Sequence, residues 1–490
     1  MTFNIPESSA WRDRPRLLLV ALVAAGLVAC ADPSGISPRA QMRDAASLGL
    51  PTGSAPAEAA KAAPSIDTRW WRSFNDEALN RLVEQALRDN PSLKVAQARL
   101  AAAQAGVEAS DAARQPQVGA RLDATHQRYT ANGAVPPPLA GSIRDSGTVQ
   151  ATASWELDFF GKHRAALDAA LGRAKAGEAD LQAARVLLAS QVARSYFQLA
   201  RLQAQHEVAQ QALAQAQAML ALQQKRSDAG LDSPLELRQS EARVPEARLQ
   251  LEGLQEQISL THHALAALLG QGRRQQAFEP TPLEAIQPVA VSAVMPVDLL
   301  GHRADIAAAR WRVHAATESA RNARLQFYPN VNLAAFAGFS SIGLEQLLNA
   351  GSQQWGISPA VNLPLFDAGR LRAGLRDKTA ELDAAVESYN LAVIGAVREV
   401  ADQLASVRAI DRQQSQQLAS AQAVQAAYDA LDRRFQAGLL GRMSVLRAQS
   451  DVLAQRRLQL DLMARALDAR VALIHALGGG FSETNTQPMP

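Results

Sequence analysis

Few residues of this 490-residue chain are arranged to do covalent chemistry. There is one cysteine, Cys30, which excludes a disulfide framework and any cysteine-based metal cluster. His262, His263, His302, His314 and His475 show no His-x-x-x-His or other metal-ligand spacing, and read as scattered surface side chains. Gly478-Gly479-Gly480 is not a phosphate loop, since no strand precedes it and no Lys-Ser/Thr follows. The sequence contains no Gly-x-Ser-x-Gly elbow. These residues imply no enzyme, no metal and no cofactor beyond what the thiol of Cys30 can carry. Two constellations remain. Arg226, Gly230 and Leu231 recur at the same spacing as Arg434, Gly438 and Leu439, 208 residues later. A glycine so placed can take the left-handed backbone of a tight turn, leaving the leucine as an apolar contact and the arginine as a donor. Asp429 and Asp432 lie three apart, near one face of a helix, and Arg433 follows them. A solvated charged face and a functional cluster both fit that pattern.

The segment around Cys30 gives the thiol a purpose. Arg12, Arg14 and Arg16 precede an unbroken run of 13 apolar or small residues, Leu17 to Ala29. Such a run is too short to cross ~30 Å of hydrocarbon as a helix, but it suits a signal-peptide core. Leu27-Val28-Ala29-Cys30 resembles the lipobox of bacterial lipoproteins. The resemblance implies cleavage before Cys30 and a covalent diacylglycerol on its sulfur, so residues 1–29 are the signal peptide. In that family an Asp beside the cysteine favours the inner membrane; here Ala31 follows and Asp32 comes one place later, which points to the outer membrane. Residues 30–64, rich in Pro, Ser, Ala and Gly, read as a flexible acylated tether.

The rest of the chain is a tandem duplication. Besides the two turns, Leu249-Gln250-Leu251 recurs as Leu458-Gln459-Leu460, and Leu268-Leu269-Gly270 has a counterpart in Ala476-Leu477-Gly478. Leu157 to Gly161 corresponds to Leu363 to Gly369, and Pro116 and Pro329 each close a helical pattern before a strand-like one. Each unit carries two segments of period-2 alternation. Val149, Ala151, Ala153, Trp155, Leu157 and Phe159 alternate with Gln150, Thr152, Ser154, Glu156 and Asp158. The strands are placed at about 118–128, 147–159, 331–340 and 354–366. Segments of ~10 residues with one apolar face, and no second sheet to pack on, fit transmembrane β-strands. Between them, Lys162 to Ala229 and Ala368 to Ala437 offer no helix stop except isolated glycines. Helices of ~65 residues are rods of roughly 100 Å, which must form a coiled coil or helical barrel. Return helices follow at about Pro234–Leu269 and Met443–Leu477. Composition agrees: aromatics are 5% and hydrophobic residues 48%, with Ala, Gln, Leu, Arg and Glu filling long stretches. The balance of 50 Lys+Arg against 47 Asp+Glu is too even for a nucleic-acid binder.

Four strands cannot close a barrel, and a sheet in lipid tolerates no unpaired edge, so several copies of the chain must join. Two copies would give an interior filled by side chains, whereas three would give twelve strands and room for a lumen. At this point the chain resembles the TolC-like outer membrane efflux proteins, in their lipoprotein branch. The leading segment Trp70-Trp71-Arg72-Ser73-Phe74-Asn75-Asp76, the corners Leu157–Gly161 and Leu363–Gly369, and the Arg-x-x-x-Gly-Leu signature at both turns carry the resemblance over residues 65–480. It implies a mainly α fold with a transmembrane β-barrel: a homotrimer with twelve strands in the outer membrane and a helical tunnel across the periplasm. The repeats are residues 65–270 and 303–480, joined by an equatorial segment, 271–302, with a tail at 481–490. The implied function is a passive conduit exporting drugs or toxic compounds, docked to a periplasmic adaptor and an inner-membrane pump. Arg226, Gly230, Leu231, Arg434, Gly438 and Leu439 would meet the adaptor, and Asp429, Asp432 and Arg433 would form the periplasmic gate. A type I secretion channel and a lipid-anchored adaptor are the rival readings, the second weakened by the duplicated four-strand set.

Overall fold

A computed structural model describes residues 32–43, 66–272, 279–286 and 303–481. Cys30, the signal peptide, the tether beyond residue 43 and most of the inter-repeat segment lie outside the described residues. Among the described residues the first element is a 3-10 turn, Trp70–Phe74, followed by helices α1 (Glu77–Asp89) and α2 (Pro91–Ala112). Strands β1 (Gln117–Arg128) and β2 (Ile143–Leu157) lead to α3 (Lys162–Asp228) and its return helix α4 (Pro234–Leu268). The second repeat then runs α5 (Ala304–Leu325), β3 (Asn330–Ile342), β4 (Gln353–Asn362), α6 (Arg370–Gln436) and α7 (Arg442–Ala476). The long helices α3 and α6 have 67 residues each, and the return helices α4 and α7 have 35 each.

Local chemistry sets these lengths. α3 and α6 contain no proline and are filled with strong helix formers. Gly172, which reads as a possible break, instead marks a close helix approach: a Cβ there would lie 3.0–3.1 Å from Ala315 on α5. Both long helices stop at the repeated glycine. The Leu231 N–H bonds the Arg226 carbonyl at 2.8 Å, and the Leu439 N–H bonds that of Arg434 at 2.9 Å, across Gly230 (φ +69°) and Gly438 (φ +74°). This six-to-one closure explains the spacing of the Arg-x-x-x-Gly-Leu signature: the arginine carbonyl is the acceptor that the turn must reach.

The four strands form one antiparallel sheet in the order β1-β2-β3-β4, whose central ladder joins the two repeats. Three predicted boundaries are corrected, on two strands. β4 ends at Asn362 rather than near 366, because Pro364 has no N–H and Asp367 already accepts from the N–H groups of Gly369 and Leu371 at the start of α6. β2 starts at Ile143 rather than 147 and ends at Leu157 rather than 159. Its polar beginning hid the pairing, and Asp158 turns away to accept from the Arg164 N–H.

Two compact units cut across the repeats. The first takes the described part of Met1–Met42 with Leu100–Ala176 and Ala309–Tyr389, and holds the sheet. Its small apolar clusters are Ala323, Phe327, Leu371 and Leu375, and Val313, Leu382 and Val386. Residues 32–42 lie along α6 here, which corrects the reading of 30–64 as an unbroken flexible tether. Arg372 donates to the Asp32 carbonyl, Ile36 packs on the first cluster, and Asp383 accepts from the Arg39 and Ala40 N–H groups at 2.8 and 2.9 Å. Tethers read from composition miss this because these hydrogen bonds all use backbone groups of the segment, with Ile36 and Ala40 adding only small apolar contacts.

The second unit contains the main core. Trp70, Trp71 and Phe74 pack with Leu79, Val83, Tyr196, Phe197, Leu460 and Ile474, each nearly or fully buried. Burial of each such side chain is worth ~1.5–3 kcal/mol, so the leading aromatic segment is a structural plug. Its Asp76 caps α1 and also accepts from the Tyr196 hydroxyl, and that hydroxyl takes the Thr281 N–H at 3.0 Å. Burial, then the bond to Asp76, pushes Tyr196 above the usual phenol range.

Candidate functional site

The sheet has two chemically distinct faces. Directly opposed residues on neighbouring strands share a face. Val118, Ala153, Ala335 and Ile357 form one apolar row, and Ala120, Ala151, Ala337 and Trp355 the next, with Leu122, Val149 and Phe339 beyond. Val118, Leu122, Trp355 and Ile357 are 66–77% exposed. The opposite face carries Arg121, Gln150, Thr148, Ser340 and Gln354. Gln354 donates to Gln150 at 3.1 Å, Arg121 holds Asp123 at 2.8 Å, and the Thr148 and Ser340 hydroxyls are 3.2 Å apart. Among the described residues β1 and β4 have one neighbour each, so both outer edges present unpaired backbone. An unsatisfied backbone group costs several kcal/mol in hydrocarbon, so these edges need partners there. Among the described residues no helix is long and apolar enough to cross a membrane. The exposed apolar face of the sheet is the surface whose chemistry suits lipid.

In the second unit, the two turns are not equivalent. At the first, Arg226 forms a two-pronged pair with Asp232 at 2.6 and 2.7 Å, and Gln223 adds a third bond to the same carboxylate at 2.6 Å. The Arg226 hydrogen bonds hold Asp232 below the ordinary carboxylate range. At the second turn the equivalent positions are Leu440 and Leu431, and Arg434 has no ion pair among the described residues. Leu231 and Leu439 are 67% and 76% exposed. Glu236, the next acid along, instead closes a capping box with Ser233 at the start of α4. The sequence reading of the turns did not include Asp232, whose signal was its place directly after Gly-Leu.

Asp429 and Asp432 sit on the half-buried side of the last turns of α6, and Arg433 is exposed. Each carboxylate accepts from a glutamine one turn away, Gln425 at 2.8 Å and Gln436 at 2.7 Å, and neither has a cation partner among the described residues. The chain brings Asp429 and Asp432 to one side but pairs neither with Arg433.

One charged cluster escaped sequence reading altogether. Arg303, 6% exposed, donates to Glu399 on α6 at 2.9 Å, to the Ala476 carbonyl ending α7 at 2.7 Å, and to Asp305 at 2.8 Å. His475 lies 3.1 Å from Glu399, so it is not a scattered surface histidine. The His475 hydrogen bond, then Arg303, overcome burial and pull Glu399 down to about 2. These partners come from three helices, so no local motif announces them.

A sheet apolar on one face and polar on the other, with open edges and paired long helical hairpins, defines a pore-forming outer-membrane protein. The model of the Outer membrane efflux protein family matches residues 82–271 and again 295–479, and the chain belongs to that family. It is 30% identical over 423 residues to the multidrug resistance outer membrane protein MdtQ of Escherichia coli O157:H7, covering 85% of this chain and 88% of that protein. The crystal structure of the outer membrane protein VceC from Vibrio cholerae matches with a TM-score of 0.77 and 36% identity, covering 85% of this chain and all of VceC. The CmeC outer membrane channel of Campylobacter jejuni shares the fold, with a TM-score of 0.79 at 23% identity over 92% of this chain and 96% of CmeC. The chain is an outer-membrane efflux channel protein.

Proposed function

We propose that three copies of the chain close a twelve-stranded barrel and form the passive outer-membrane conduit of a tripartite efflux pump. The open four-stranded sheet, with one apolar face and one polar face, carries this reading. Because the strand number per chain is even, β4 of one copy runs antiparallel to β1 of the next, and the ring can close. Eight strands would leave an interior that side chains fill; twelve leave a lumen, which export requires. Cys30, acylated as the mature N-terminus, anchors the chain to the outer membrane.

An adaptor docks at the turns of the helical hairpins in the periplasm, and an inner-membrane pump supplies cargo such as drugs or toxic compounds. The second turn, with unpaired Arg434 and exposed Leu439, is the principal contact; the first, with Arg226 locked by Asp232, contributes Leu231 and a preset shape. Asp429, Asp432 and Arg433 form the gate, their charges without an ion-pair partner among the described residues and available to neighbouring copies. The test is direct. Purified protein should run as a heat-sensitive trimer and conduct ions in planar bilayers. Cys30→Ser should stay membrane-embedded, held by the barrel. Release of that variant as a soluble monomer would overturn the proposal.

A further inference from the structure

The polar face of the sheet has one aromatic side chain, Phe336, in the middle of β3. It stands directly opposite Thr152 on β2 and Gly356 on β4, in a row that Gly119 completes. A Cβ added at Gly356 would lie 2.7 and 2.8 Å from Cε1 and Cζ of the Phe336 ring, so the ring lies over that glycine. In the next row, the amides of Gln150 and Gln354 bridge past Gly338, where a Cβ would come within 2.1 Å of the Val149 carbonyl. The ring is therefore seated on a glycine floor beside a fixed amide pair, and it is only half-buried. Covering Gly356 shields a weak point of an edge strand and accounts for one side of the ring. The other side opens onto the polar face.

We infer that Phe336 is a contact site for planar aromatic cargo on the wall of the conduit. The inference rests on the proposed function, in which the polar face lines the lumen. Arg121 and Asp123, the charged pair in the adjoining rows, neutralise one another. The patch therefore selects for a flat apolar surface rather than for charge sign, through stacking and ring-edge contacts. Three copies would place three such patches at one level of the barrel. Because each ring reaches sideways over Gly356 of its own sheet, they line the passage rather than plug it.

Single-channel recording in planar bilayers tests this, with the planar aromatic cation ethidium as blocker and tetraethylammonium as the non-aromatic control. Phe336→Ala should keep its potassium chloride conductance, and the ethidium concentration giving half-block should rise about 3- to 10-fold. Tetraethylammonium should act on both proteins alike. Phe336→Leu keeps an apolar cover over Gly356 but loses the flat ring, so it should show the same rise even where the alanine variant assembles poorly. Unchanged ethidium block in a conducting Phe336→Ala or Phe336→Leu channel overturns this inference alone. A wild-type protein that forms no conducting pore overturns the conduit reading and this inference with it.

Discussion

Glu399 illustrates how one carboxylate can hold three helices. Its two oxygens take Arg303 and His475, and Arg303 reaches on to the last carbonyl of α7. In the unfolded chain Glu399 would titrate at the ordinary value of 4.5, against about 2 in the folded protein. Its contribution is therefore complete above about pH 4.5 and is lost as pH falls from there toward 2. Glu399→Gln should lower the thermal midpoint at pH 7 and flatten the loss of stability below pH 4.5. Equal acid sensitivity in both proteins would contradict the assignment. With Arg303 keeping Asp305 and Ala476, the cost at pH 7 should be on the order of 2 kcal/mol, below the 3–5 kcal/mol of a fully broken buried pair. At the hairpin turns, Leu440→Asp would install at the second turn the carboxylate that Asp232 supplies at the first. It should capture Arg434 and impair drug export in cells, while trimer assembly stays intact. Export equal to wild type would argue against Arg434 as a docking contact.

Elements differ in how plainly the chain announces them. The long helices fall within two residues of their sequence-derived ends, because a helix stop at Gly230 or Gly438 is a local event decided by a few neighbouring residues. Gly438→Ala tests that stop. A Cβ there meets nothing within 4 Å, so the cost is the left-handed backbone alone, about 1–2 kcal/mol in unfolding measurements. Strand ends were less legible, since the corners depend on where Asp158 and Asp367 reach for backbone N–H groups. The segment 32–43 was the least legible, because its acceptors, Asp383 and Asn390, lie over 340 residues away. Asp383→Ala should free it, seen as faster tryptic cleavage after Arg39 and Arg43 with no change elsewhere in the digest. The tips were visible as a repeated motif, whereas Arg303, Glu399 and His475 had no shared motif to reveal them.

At the scale of the whole molecule, the duplication and the compact units are two different partitions. Each unit takes a stretch from both repeats, so neither repeat owns a complete unit. The sheet shows this most directly, since Val149 of β2 pairs with Phe339 of β3 at its centre. That pairing spans 190 residues, so the central ladder is slower to find than either local hairpin, β1–β2 or β3–β4. Until then β1 and β2 are a lone hairpin, marginal in water, with Val118 and Leu122 exposed. Entry into the bilayer is thereby tied to completion of synthesis: a ribosome product stopping before residue 330 has no third strand to recruit and should be cleared by proteases rather than inserted. The ladder that joins the repeats thus doubles as a checkpoint on chain completeness.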